Sequence, residues 1–276
     1  MARIQRQLDR RALDQELQTW LRQWHDGSPD QRQALEQTWI AHRGFWASWT
    51  LQGLRTWTDP AVLMAGVEIL SLELGGQAAQ SLAFCWERAE TRSLASVFLV
   101  PGATDAQLAQ WLRQAEDREQ VLRVLAEIVR RPSEAATDLL ATLAVDPVCQ
   151  SPLRDPSLVW HPRHGQRALA ALAAPQPYQQ YRAAMLLTVL DGQDIDQELM
   201  QKMLSGVQTL PAMAVWLLRH PGDSQQLATR LQHSPLALAV VPSASQRAQK
   251  WSRQQRSESS GPWSFRKVCQ LCVTAS

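Results

Sequence analysis

The chain has no asparagine, only two tyrosines and four phenylalanines, and four cysteines among 276 residues. Four thiols (Cys85, Cys149, Cys269 and Cys272) are too few and too unevenly placed for a disulfide framework, which points to a reducing, cytoplasmic setting. Three lysines stand beside twenty-five arginines, a bias that fits a GC-rich bacterial genome. No run keeps up the alternation of a half-buried strand, which argues against a β architecture. No stretch approaches the ~18 apolar residues of a membrane span. The longest candidate, Ala61 to Leu74, is interrupted by Glu68 and Glu73. Met1 to Arg11 is polar and charged, so no signal peptide is expected. A nucleophile elbow, a glycine-rich phosphate loop and an HExxH motif are also missing.

What is present is enough for a core. Apolar residues make up 45% of the chain and charged residues 20%, as in one large globular domain or two small ones. The net charge of +2 hides an asymmetry. Residues 246–276 carry Arg247, Lys250, Arg253, Arg256, Arg266 and Lys267 against Glu258 alone, so this tail is +5 and the remainder −3.

Short amphipathic segments recur, each opened by a capping residue and closed by Gly or Pro. The clearest is Asp59-Pro60, then Ala61 to Leu74, then Gly75-Gly76. Its Asp accepts from free first-turn N–H groups, its Pro suits the first helical position, and its glycines allow the left-handed stop. Helices are also expected over 2–25, from Ser28-Pro29 to a break at Gly44, over 45–57, 77–90 and 92–100. Further helices are expected over 104–116, 117–130, 133–145, 164–174, 177–190, 194–205, 209–219 and 223–233. Residues 146–162, with Pro147, Pro152, Pro156 and Pro162, read as a loop and subdomain boundary. Leu236 to Val241 is undecided, and 242–262 reads as loosely ordered or as a solvated helix.

The paired segments at 104–131 and 164–190 resemble HEAT-type repeats, above all Gly165 to Leu172 leading into Tyr181 to Met185. The likeness covers about 59–233 and implies helix pairs that bury their apolar faces on one another. Repeat lengths are irregular, which leaves a compact, non-repetitive helical domain as the alternative. The expected fold is therefore all-α: an irregular α-solenoid of HEAT-like pairs or a multi-helix bundle. Its parts are an aromatic-rich N-terminal subdomain (1–58), a repeat-like region (59–145), the Pro-rich loop (146–162), a second repeat-like region (163–241) and a basic, flexible tail (242–276).

Twelve tryptophans are the compositional outlier, six of them before residue 58. Aromatic stripes on helices usually face a core. Trp24 and Trp46, near expected helix ends, are the candidates for a partner surface. In the tail, Trp251 and Trp263 interleave with Arg253 and Arg256 and could meet a protein, nucleic acid or an anionic surface. Cys269 and Cys272 form a CxxC pair, and His161 and His164 could complete a zinc site if the tail folded back. The separation of about 105 residues favours ordinary thiols, and no metal or cofactor is expected. The loop holding Cys149, His161 and His164 is a candidate enzyme site only if it forms a pocket with a neighbouring carboxylate.

With no catalytic set, the expected role is non-enzymatic: an adaptor or scaffold that binds another protein, such as an accessory component of a bacterial secretion system. A nucleic-acid-binding helical protein is the alternative and an enzyme the second. The alternating signs of Arg113, Glu116, Asp117, Arg118 and Glu119 argue against a contiguous arginine face in that region.

Overall fold

Side-chain caps open six of the α-helices in the computed structural model, which describes residues 2–190, 193–206 and 209–258. Among the described residues there is no strand, so the fold is all-α. The chain divides between Thr104 and Asp105 into two compact units, not at residue 58 or within 146–162.

The first unit contains α1 (Ala2–Asp26), α2 (Pro29–Gly53), α3 (Pro60–Leu74), α4 (Ala78–Ser81), α5 (Phe84–Glu87) and α6 (Ala89–Phe98). Ser28 and Gln31 form a reciprocal capping box at the start of α2. The expected break at Gly44 is absent, and α2 runs through it unbroken. The single helix expected over 77–90 is instead two short pieces, α4 and α5. The apolar helix α3 is central, packed by α1, α2 and α6, and Gly75 ends it at φ +50°. By length and composition the segment Pro60–Ser81 is long and apolar enough to cross a membrane, and 44% of that window is buried within the unit. Its two acids answer arginines of α2: Arg32 lies 3.5 Å from Glu68, and Arg43 pairs with Glu73.

Asp59 starts α3 by accepting from the N–H groups of Ala61 (2.9 Å) and Val62 (3.4 Å), while Arg22 of α1 donates to its other oxygen at 2.7 Å. The Arg22 bond, ahead of the two backbone bonds, holds this carboxyl below its ordinary value. Asp59→Ala is expected to cost about 1–2 kcal/mol, because both the cap and the tie to α1 are lost. Asp59→Asn should recover most of this, since the amide oxygen still caps. Urea unfolding midpoints of the two variants test this; equal losses would refute the capping role.

The second unit contains α7 (Asp105–Gln114), α8 (Arg118–Arg130), α9 (Glu134–Val145), α10 (Pro147–Leu153), α11 (Pro162–Ala171), α12 (Pro177–Val189), α13 (Gln193–Leu204), α14 (Thr209–Arg219), α15 (Ser224–Arg230) and α16 (Pro235–Glu258). Asp117, Ser133 and Asp146 cap α8, α9 and α10 through their side chains. Helices α9 and α12 pack closely, α12 also meets α11 and α14, and α14 carries α13 and α16. The core includes Leu125, Leu140, Tyr181, Leu187 and Trp216, each at most 1% exposed.

One expectation fails here and another holds in part. Residues 146–162 are not a continuous loop, because Pro147 opens α10 at a position where proline costs no helical bond. Of the two forms expected after 242, the helical one holds up to Glu258, although one of its faces is buried rather than solvated. The segment continues α16, whose Ala244, Ala248 and Trp251 are buried, and α16 packs on α14.

Candidate functional site

Two of the four tryptophan candidates are core. Trp46 is 5% exposed and Trp251 6%, which removes both as surface anchors. Trp46 belongs to a cluster around Trp20, whose ring centroid lies 5.5 Å from Trp24, 5.4 Å from Trp39 and 5.2 Å from Trp46. These side chains meet because α1 and α2 present their aromatic stripes to each other. Trp24 is half-buried at the edge of the cluster, with the Arg32 guanidinium 5.9 Å from its ring. Trp263, Cys269 and Cys272 lie outside the described residues, so the CxxC pairing with the histidines is not placed. Among the described residues no three metal-ligating side chains gather.

His161 and His164 are placed by helix α11. His161 Nδ1 accepts from the Arg163 N–H at 3.2 Å and so caps the helix. His164 is not a solvated loop residue; it is fully buried. Its Nε2 lies 3.1 Å from the Val129 carbonyl and its Nδ1 2.8 Å from the Thr137 hydroxyl. A carbonyl only accepts, so the proton of the neutral ring sits on Nε2, and Nδ1 shares the single Thr137 hydroxyl hydrogen with the Ser133 carbonyl 3.0 Å from that hydroxyl. Burial pushes the His164 pKa down from 6.5 to about 4; the bond to Val129 opposes the shift, and His161 and Arg167 add to it. His161 lines a cavity of about 300 Å³ that Asp194 and Glu198 also line. No hydrogen bond or ion pair joins it to either acid among the described residues. Cys149 is buried and unpaired, and burial pushes the Cys85 thiol up to about 12, far from a reactive thiolate.

Arg253 and Arg256 are exposed on α16 and line a cavity of about 360 Å³ with Leu217, Leu218, Ala248 and Ser252. Arg247 and Lys250 are on the same helix, which carries no carboxylate before Glu258.

A larger concavity lies elsewhere, between α13, α14 and α15, at about 780 Å³. Arg219, at the end of α14, stands behind the lining and holds its Asp196 in place. Its Nε donates to Asp196 at 2.8 Å, and its Nη1 donates to the Leu187 carbonyl and, at 2.6 Å, to that of Leu190. One guanidinium therefore satisfies the carbonyls ending α12 and fixes the Asp196 carboxylate at the groove. His220 stacks on Trp216 with centroids 4.4 Å apart, and its Nε2 stands 3.3 Å from Asp196 Oδ2. Arg230 of α15 places its guanidinium 5.9 Å from the Trp216 ring. Met200 and the half-exposed Leu204 add aliphatic surface, and Gln197, Gln201 and Gln226 add neutral polar groups. An apolar lining with a few convergent polar groups suits a bound segment or small ligand.

Sequence reasoning missed this site. Trp216 and His220 stand four residues apart, the spacing that stacks rings on one helix face, and that was the available signal. The Arg219–Asp196 pair spans 23 residues and two helices and leaves no local trace. Comparison with protein-family models, curated proteins and solved structures finds no match to this chain.

Proposed function

We propose that the chain is a non-enzymatic adaptor or scaffold that holds a segment of a partner protein in the groove between α13, α14 and α15. The observation carrying this reading is the open groove of about 780 Å³ in which Leu204 exposes half its surface above the buried Trp216. Exposed aliphatic side chains next to an aromatic anchor and one arginine are the ingredients of interface hot spots. Stacked HEAT-like pairs would offer such grooves, and a cytoplasmic bacterial assembly such as a secretion system would be a fitting setting.

Capture of the tagged full chain from its own cells, beside a Leu204→Asp variant, tests the reading. One stoichiometric protein should be recovered with the parent chain and lost at least tenfold with the variant, whose helical circular dichroism should be unchanged. Equal recovery with both would overturn the groove as the docking site.

A second reading rests on α16, which carries Arg247, Lys250, Arg253 and Arg256 and no acid before Glu258. Such a helix would meet nucleic-acid phosphates. Binding to duplex or single-stranded DNA or RNA should then fall steeply between 50 and 200 mM salt, by about tenfold or more for a few phosphate contacts. Salt-independent binding, or none at 50 mM, would reject it.

A further inference from the structure

We infer that the segment occupying the α13–α15 groove presents a carboxylate side chain flanked by aliphatic residues. The inference rests on the adaptor reading and adds the chemistry of the partner. Hydrogen-bond donors at the groove outnumber its acceptors in use. The Trp216 indole N–H is buried and has no acceptor among the described residues, in a side chain 1% exposed. His220 Nε2 is likewise buried, with the Asp196 carboxylate 3.3 Å away. Arg230 is exposed and forms no ion pair among the described residues; its recorded contact is with the Trp216 ring. Tryptophan and arginine can only donate, so what completes this set is an acceptor.

The charge balance selects an anion. Among the described residues Asp196 is the only carboxylate lining the groove, and Arg219 already holds it at 2.8 Å. Arg230 is left as the surplus cation. A carboxylate on a peptide fits better than a phosphate-bearing polymer. A polymer would call for a row of cations, whereas this groove has one, set among Met200, Leu204 and Trp216. Those apolar groups exclude water around the bond and reward aliphatic neighbours of the acid. An acid on an apolar segment pairs with the guanidinium and covers the aliphatic lining together.

The test uses two synthetic probes, Ac-Leu-Glu-Leu-Leu-NH2 and its Gln counterpart, added to the ¹⁵N-labelled full chain. The readout is the Trp216 indole resonance, identified by its disappearance in Trp216→Phe. The Glu peptide is expected to shift that resonance and to bind about tenfold more tightly than the Gln peptide at 50 mM salt. In Arg230→Gln, a substitution of an exposed side chain, the ratio should shrink to within about twofold. Equal affinities for the two peptides, or an Arg230→Gln chain that keeps the full preference, would overturn the carboxylate inference and leave the groove reading standing. A Trp216 resonance that neither peptide moves at millimolar concentration would overturn both.

Discussion

Gly53→Ala is expected to destabilise the first unit by about 2–3 kcal/mol, although it adds one methyl group to a helix. Gly53 is the last residue of α2, and its carbonyl accepts from the N–H groups of Thr56 (2.8 Å) and Trp57 (2.7 Å). That turn folds the Trp57 indole back over Gly53, so a Cβ there would fall inside the ring's van der Waals envelope. The ring is not free to swing away. It is 7% exposed, and its N–H donates to Asp14 of α1 at 3.1 Å, beside the Trp49 N–H at 3.2 Å. Moving it breaks that bond and disturbs the α1–α2 contact together, which overrides the ~1 kcal/mol by which Ala outranks Gly in helices. Gly44 provides the internal control. It lies in the same helix with nothing within 4 Å of a built Cβ, so Gly44→Ala should gain up to about 1 kcal/mol. Thermal unfolding followed by near-ultraviolet circular dichroism should show a fall of about 10 °C for the first variant and none for the second. Equal melting of the two would refute the close approach.

The same helix shows what the sequence reveals and what it hides. Caps are local, since Ser28, Asp59, Asp117 and Ser133 bond N–H groups two or three residues ahead, and they are read correctly from spacing. Gly44 is misread because its cost of ~1 kcal/mol is a local quantity, whereas Trp39 and Trp46 on either side of it are held by Trp20 of α1. Proline density between 146 and 162 suggests a loop, yet Pro147 and Pro162 each occupy a first helical turn. In α16 serine, glutamine and arginine dominate the composition after Pro242 and mask the buried stripe of Ala244, Ala248 and Trp251, whose spacing of four and three is helical. The groove was least legible. Asp196 reads as a first-turn acid of α13 and Arg219 as a last-turn base of α14, both ordinary for their positions. Only the packing of α13 on α14 turns them into a half-buried pair.

His164 makes the second unit sensitive to mild acid. In the folded chain the ring is neutral, with a pKa of about 4 set chiefly by burial, against 6.5 for an exposed histidine. Below pH 6.5 the unfolded chain therefore binds a proton that the folded chain refuses. Stability is complete above that pH and falls as the pH drops toward 4. A shift of this size corresponds to about 3 kcal/mol across the window. The carboxylates whose pKa values are lowered, Asp59, Glu90 and Asp155, add the same sign of dependence but start at lower pH, below about 4.5. The two contributions are thus separable. Urea unfolding at intervals between pH 7.5 and 4.5 should give a slope approaching one proton taken up on unfolding. His164→Gln should flatten that slope, even though losing the fit between Thr137 and Val129 lowers stability at neutral pH. The lowered stability alone would follow from any core defect, so the flattened slope is the discriminating result. An unchanged slope in the variant would show that His164 is not held neutral by burial, and would remove the acid sensitivity assigned to it.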